Sequence, residues 1–73
     1  MIRKHSVTLH GHRTSLSLED EFWAEAIALA AHEGKTLAAF LAEIDETRAA
    51  DSNLSSAIRL RILAHYRKTA RNS

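Results

Sequence analysis

Arg13-Thr14-Ser15-Leu16-Ser17-Leu18-Glu19-Asp20-Glu21-Phe22-Trp23 contains the change of periodicity that decides the fold. Up to Leu18, polar and apolar residues alternate, which puts Leu16 and Leu18 on one face of a strand with Thr14 in phase. Glu19, Asp20 and Glu21 then place three carboxylates where the first turn of a helix presents unpaired amides and the positive end of its dipole. Phe22, Trp23, Ala26, Ile27, Leu29 and Ala30 follow at three- and four-residue spacing, which predicts an amphipathic helix over 19–33. A strand therefore runs directly into a helix.

Upstream, Val7 and Leu9 form a second alternating set, offset from Leu16 and Leu18 by an odd number of residues. A slip of one residue would turn every side chain to the wrong face, so a bulge or turn has to absorb the difference, and Gly11 lies between the sets. The whole of 5–18 reads as an extended arm. Downstream, Gly34 can close the first helix in the left-handed conformation and Thr36 can cap the next. Leu37, Phe40, Leu41 and Ile44 mark one face of this second helix, over 36–49. Asp51, Ser52 and Asn53 form a turn cluster with N-cap candidates, after which Leu54, Ile58, Ile62 and Tyr66 run down a third helix over 53–70. Leu60 and Leu63 widen its apolar arc so far that it needs cover on more than one side, which predicts a core shared between chains.

Composition agrees with that expectation. The chain has 73 residues, read as a single domain over 1–73, and a core below about 80 residues seldom suffices unless stapled or shared. With no cysteine, disulfides and thiolate metal sites are excluded, and oligomerisation is the remaining route. At 45% hydrophobic and 26% charged the sequence is that of an ordered chain. No apolar run approaches the roughly 18 residues of a membrane span. The polar residues His5, Ser6 and Thr8 stand where a signal peptide would be apolar, so a cytoplasmic location and no membrane partner are expected. No nucleophile stands beside a base in a recognisable motif and no glycine-rich phosphate loop is present, so no enzymatic activity is expected.

The net charge of +1 hides large local terms: +3 over residues 1–18, −7 over 19–53 and +5 over 54–73. A fold that gathers the two basic ends would create a steering field for a polyanion. His10 and His12 could place two imidazoles on one strand face, but no convincing further ligand accompanies them, so neither metal nor cofactor is expected.

A short strand, then helix, turn and helix, in a chain expected to share its core, resembles the ribbon-helix-helix DNA-binding proteins. The run from Arg13 to Trp23 looks like that family's strand entering its first helix. Leu54-Ser55-Ser56-Ala57-Ile58-Arg59, continuing to Leu63 and Tyr66-Arg67-Lys68, resembles its second helix. More narrowly, Ser6-Val7-Thr8-Leu9, then Gly11-His12-Arg13-Thr14-Ser15, with Phe22-Trp23 at the head of the first helix, is similar to a subgroup of small bacterial members.

The resemblance implies a mostly helical fold with one short N-terminal strand, forming an intertwined homodimer. One strand from each chain would pair into an antiparallel ribbon that enters the DNA major groove, with an additional helix. It places Leu16, Leu18, Phe22, Trp23, Ile58, Ile62 and Tyr66 in the dimer core, and Arg13, Ser15 and Ser17 on the face that reads bases. Arginine can donate two hydrogen bonds to guanine and serine can donate or accept, which suits that role. Ser55 and Ser56, at the start of a helix with unpaired amides, would contact phosphate. Two alignments remain open. In the preferred one residues 37–49 are an inserted helix and the family's second helix begins at Leu54, which carries the basic charge; in the other it begins at Thr36, and Lys35 and Thr36 become the phosphate contacts. The functional expectation is a dimeric bacterial transcriptional repressor binding double-stranded DNA, with possible higher order on DNA. The alternative is a protein-interaction or assembly module, including an antitoxin-like one, that keeps the dimer fold without binding DNA.

Overall fold

His10 and Gly11 have φ of 53° and 78°, two successive positive values of the kind a two-residue type I′ hairpin turn requires. Strands β1 (Ile2–Leu9) and β2 (His12–Glu19) flank this turn and pair antiparallel, with Leu9 opposite His12, Ser6 opposite Ser15 and Arg3 opposite Leu18. This computed structural model describes residues 1–71; residues 72 and 73, the last two of the expected domain, lie outside the described residues. The N-terminal ribbon followed by helices is the expected architecture, with a correction to its origin. The arm expected over 5–18 is two strands, and the second strand of the ribbon comes from the same chain rather than from a partner. The odd offset between Val7/Leu9 and Leu16/Leu18 needs no repair, because a two-residue turn always sets odd-numbered residues of β1 against even-numbered residues of β2.

The three helices are α1 (Asp20–His32), α2 (Leu37–Thr47) and α3 (Leu54–Arg71). Asp20 and Glu21 lie in the first turn of α1, and the Asp20 amide donates to the Met1 carbonyl at 2.9 Å, which ties the helix entry to the start of β1. Its C-terminus closes as a Schellman motif: Gly34, at φ 70°, donates to the Ala31 carbonyl at 3.0 Å and Lys35 donates to that of Ala30 at 2.9 Å. Thr36 caps α2, its hydroxyl oxygen accepting from the Ala39 amide at 3.1 Å. Asn53 does the same for α3, its side-chain oxygen accepting from the Ser56 amide at 2.7 Å.

Leu9, Leu16 and Leu18 from the inner ribbon face pack with Ala26, Leu29 and Ala30 of α1, Phe40, Leu41 and Ile44 of α2, and Ile58 and Ile62 of α3. The chain thus closes a core of its own. The expectation that Leu16, Leu18, Ile58 and Ile62 need a second chain to be buried is corrected here: β1 contributes Leu9 and α2 contributes a full apolar face, and together they supply the missing cover. Phe22 and Trp23 are half-buried at the rim, with the Trp23 ring stacked on His5 at 3.7 Å between centroids. Tyr66 is 49% exposed and, with Leu60 at 64% and Leu63 at 43%, leaves an apolar strip on α3 facing solvent.

Candidate nucleic-acid interface

Alternation along the hairpin sends Lys4, Ser6 and Thr8 of β1 and Arg13, Ser15 and Ser17 of β2 to the face away from the helices, and all six are exposed. Lys4 lies opposite Ser17, Ser6 opposite Ser15 and Thr8 opposite Arg13. Because the Met1 and Asp20 positions are hydrogen-bonded to each other, these three pairs fall in the alternate, non-bonded class, in which facing side chains approach more closely. The result is a ribbon surface of hydroxyls with a cation at each of two diagonal positions and the exposed Ile2 at its open end. Its only carboxylate, Glu19, lies at the ribbon's end and is held by Arg59 at 2.8 Å. The Arg59 hydrogen bond, with help from the backbone, keeps the Glu19 carboxyl below its ordinary value of 4.5.

The cations divide into two groups. Arg3 pairs with Asp20, Lys35 with Glu33 and Glu43, Arg48 with Asp45, Arg59 with Glu19, and Arg61 with Glu33. Burial raises the Glu33 carboxyl, but Lys35 and Arg61 outweigh it and leave the group below its ordinary value. Lys4, Arg13, Arg67, Lys68 and Arg71 have no acidic partner among the described residues. Two of these stand on the ribbon face and three at the end of α3. The basic ends are not gathered on one surface, since α3 starts beside the ribbon and carries Lys68 about 20 Å further along its axis.

The start of α3 is fixed to β2. The Ser55 hydroxyl donates to the Ser17 carbonyl at 2.7 Å, a carbonyl that points away from β1 by the same alternation, so α3 sits against the free edge of the ribbon. Asn53 takes the Ser56 amide and the Asn53 carbonyl takes that of Ala57 at 3.1 Å, while the Leu54 and Ser55 amides have no partner among the described residues. Of the residues expected to touch DNA, Arg13, Ser15 and Ser17 share one exposed face. Ser55 and Ser56 lie at its edge, with the Ser55 hydroxyl already engaged.

The model of the ribbon-helix-helix domain family matches residues 2–66, which spans the hairpin and nearly all of the three helices. The chain belongs to the ribbon-helix-helix domain family. Members of this family are typically DNA-binding transcription regulators or antitoxins, and they bind DNA and form dimers. No curated protein and no solved structure matches the chain significantly. In this ribbon-helix-helix chain the residues that sequence reasoning missed are Lys4, Ser6 and Thr8. The signal for them was Gly11, which with His10 makes a two-residue hairpin turn and so converts the preceding alternation into a second strand. Among the described residues no helix is long and apolar enough to cross a membrane, and no group of three or more His, Cys, Asp or Glu is arranged to hold a metal ion.

Proposed function

We propose that the protein is a sequence-specific DNA-binding repressor that lays the outer face of its β1–β2 ribbon in the major groove. The observation that carries this reading is the coincidence of unpaired cations and hydroxyls on one exposed face of the ribbon, in a chain whose family is typically DNA-binding. A major groove about 12 Å wide admits a two-stranded ribbon. Arg13 donates its guanidinium fork to guanine, Ser15 and Ser17 donate or accept at base edges, and the start of α3 meets the flanking phosphate. At that point the contact is made by the Leu54 and Ser55 amides and the Ser56 hydroxyl, since the Ser55 hydroxyl is bound to Ser17. The junction of α3 with β2 supports the alignment in which α3 is the family's second helix and α2 the addition.

Fluorescence anisotropy with random duplex DNA at two salt concentrations tests this. Each neutralised phosphate lowers log K by about 0.9 per decade of salt, so affinity falls steeply as salt rises. Arg13→Ala lowers affinity for a selected site by about 1–3 kcal/mol while leaving the thermal midpoint unchanged. A protein that retains no DNA at low salt is not this repressor.

A second reading has its own observation, the exposed strip of Leu60, Leu63 and Tyr66 with half-buried Phe22 beside it. This strip suits a second copy or an antitoxin-like partner, and homodimerisation through it leaves both ribbons free. Leu63→Glu then shifts the sedimentation mass to a monomer without unfolding the chain. An unchanged mass removes the strip from the assembly.

A further inference from the structure

Beside the tip of the ribbon, the first residues of β2, the end of α2 and the start of α3 enclose a cleft of about 310 Å³. Its charged and titratable lining is His10, His12, Arg13, Asp45 and Arg48, with Leu54 at the α3 end. Alternation explains how these residues meet. His12 is in phase with Leu16 and Leu18, so its imidazole turns to the helix side of the ribbon, whereas Arg13 stands on the outer face and borders the cleft at the strand edge. Arg48 is the C-terminal cap residue of α2.

The charges in this cleft do not cancel. Asp45 is engaged on both carboxylate oxygens: one accepts from Arg48 Nε at 2.7 Å, and the other lies 3.8 Å from His10 Nε2. His10 Nδ1 lies 3.6 Å from Glu46 on the same helix. Arg48 also donates to the Ser52 carbonyl through one terminal nitrogen, and the rest of its guanidinium is uncommitted among the described residues. His12 and Arg13 have no ion-pair partner among the described residues. Two guanidiniums thus face one carboxylate in the lining, which is positive even with both imidazoles neutral. Each proton taken up by His10 or His12 adds to that charge.

We propose that this cleft seats a phosphate diester of the DNA backbone, contacted by His12 and Arg48, and that protonation of His12 couples DNA affinity to pH. The inference rests on the DNA-binding function proposed above and extends it to side chains which that function does not use. A ribbon in the major groove has phosphates along its edges, and the cleft opens on the edge of β2 that α3 also borders. A diester keeps its negative charge across the range in which histidine titrates, so the proton is taken up by the protein alone. The groups around His12 are His10 in the turn, Arg13 on β2, and Asp45, Glu46 and Arg48 on α2; from α3 the lining receives only Leu54. His10 is a positioning residue here, placed between the phosphate seat and the two carboxylates of α2. Because phosphate contacts carry no sequence information, His12 and Arg48 strengthen binding to every sequence alike, unlike Arg13, Ser15 and Ser17 on the outer face.

The test is fluorescence anisotropy with duplex DNA over a salt series at about pH 6 and about pH 8, which bracket the usual histidine range. It compares the wild-type chain with His12→Gln, His12→Arg and Arg48→Gln, each kept below its thermal midpoint as followed by circular dichroism. The wild-type chain should bind about threefold to tenfold more tightly at the lower pH. His12→Gln should lose that difference, and its salt slope at the lower pH should be shallower by about 0.9, the share of one phosphate. His12→Arg should bind tightly at both pH values, and Arg48→Gln should weaken binding to a selected site and to mixed-sequence DNA by the same factor. A His12→Gln chain that keeps the full pH difference, or an Arg48→Gln chain of unchanged affinity, would overturn the phosphate seat while leaving DNA binding intact. So would a His12 resonance that shifts with inorganic phosphate alone while DNA affinity ignores pH, which would mark a site for a free anion. Failure of the wild-type chain to bind any DNA at low salt would remove the DNA-binding reading itself and this inference with it.

Discussion

Ser17 and Ser55 show how one hydroxyl can be withdrawn from recognition to build the site that surrounds it. Ser17 turns its side chain to the outer face while its carbonyl receives the Ser55 hydroxyl, so the start of α3 is placed by a residue of the proposed DNA-reading face. Ser55→Ala removes one hydrogen bond, and the thermal midpoint should fall by the equivalent of about 1 kcal/mol. DNA affinity should fall further than that change in stability explains, because the α3 amides lose their position beside the ribbon. An unchanged midpoint on differential scanning calorimetry would mean that the bond does not anchor the helix. Glu19 and Arg59 reinforce the same junction. The carboxyls of Glu19 and Glu33 are both held below their ordinary value of 4.5, so their charged forms are favoured in the folded chain. Their contribution to stability is fully present above that value and is lost as pH falls through the lower folded values. A Glu19→Gln, Glu33→Gln double variant should therefore show a flatter decline of stability with acid than the parent; equal slopes would assign the acid sensitivity elsewhere.

The hairpin is the element on which the site depends, and its turn combines two residues at positive φ with a His10 ring that lies 3.8 Å from Asp45 and 3.6 Å from Glu46 of α2. Nothing lies within 4 Å of a Cβ placed on Gly11, so the restriction there is its φ of 78° rather than space. Gly11→Val should destabilise the ribbon by about 1–2 kcal/mol, because a β-branched residue is poorly tolerated at positive φ. Its amide exchange should rise first in β1, the strand joined to the rest of the chain through that turn. Uniform exchange across β1 and α3 would show instead that the hairpin opens only with the whole fold. This strand was also the least legible part of the sequence. Its inner face begins with Arg3 and His5, which are polar because one pairs with Asp20 at the open end and the other stacks on Trp23. Only Val7 and Leu9 therefore showed the apolar alternation of a buried face. The helices were readable because Gly34, Thr36 and Asn53 act locally, through a left-handed φ and two caps, whatever the tertiary contacts. Arg13, Ser15 and Ser17 were readable as one face because period-two alternation does not depend on which strand lies alongside.

For the molecule as a whole, closing the core within one chain separates tasks that were expected to be joined. Leu16, Leu18, Ile58 and Ile62 stabilise the fold, the outer ribbon carries the unpaired cations, and Leu60, Leu63 and Tyr66 remain available for assembly. The expectation of a shared core came from the breadth of the apolar arc on α3. Part of that arc, Ile58 and Ile62, is covered by the chain's own strands and helices, and the rest is the exposed strip. The acidic middle of the sequence is largely spent on internal pairs with Arg3, Lys35, Arg48, Arg59 and Arg61, leaving the ribbon face positive where it would meet a polyanion. The most direct measurement of this arrangement is a map of amide chemical-shift changes as labelled protein is titrated with mixed-sequence duplex DNA at low salt. Changes concentrated on β1, β2 and the first turn of α3, and reversed by added salt, are the expected result. Changes confined to the Leu60–Leu63–Tyr66 strip, or none at all, would contradict it.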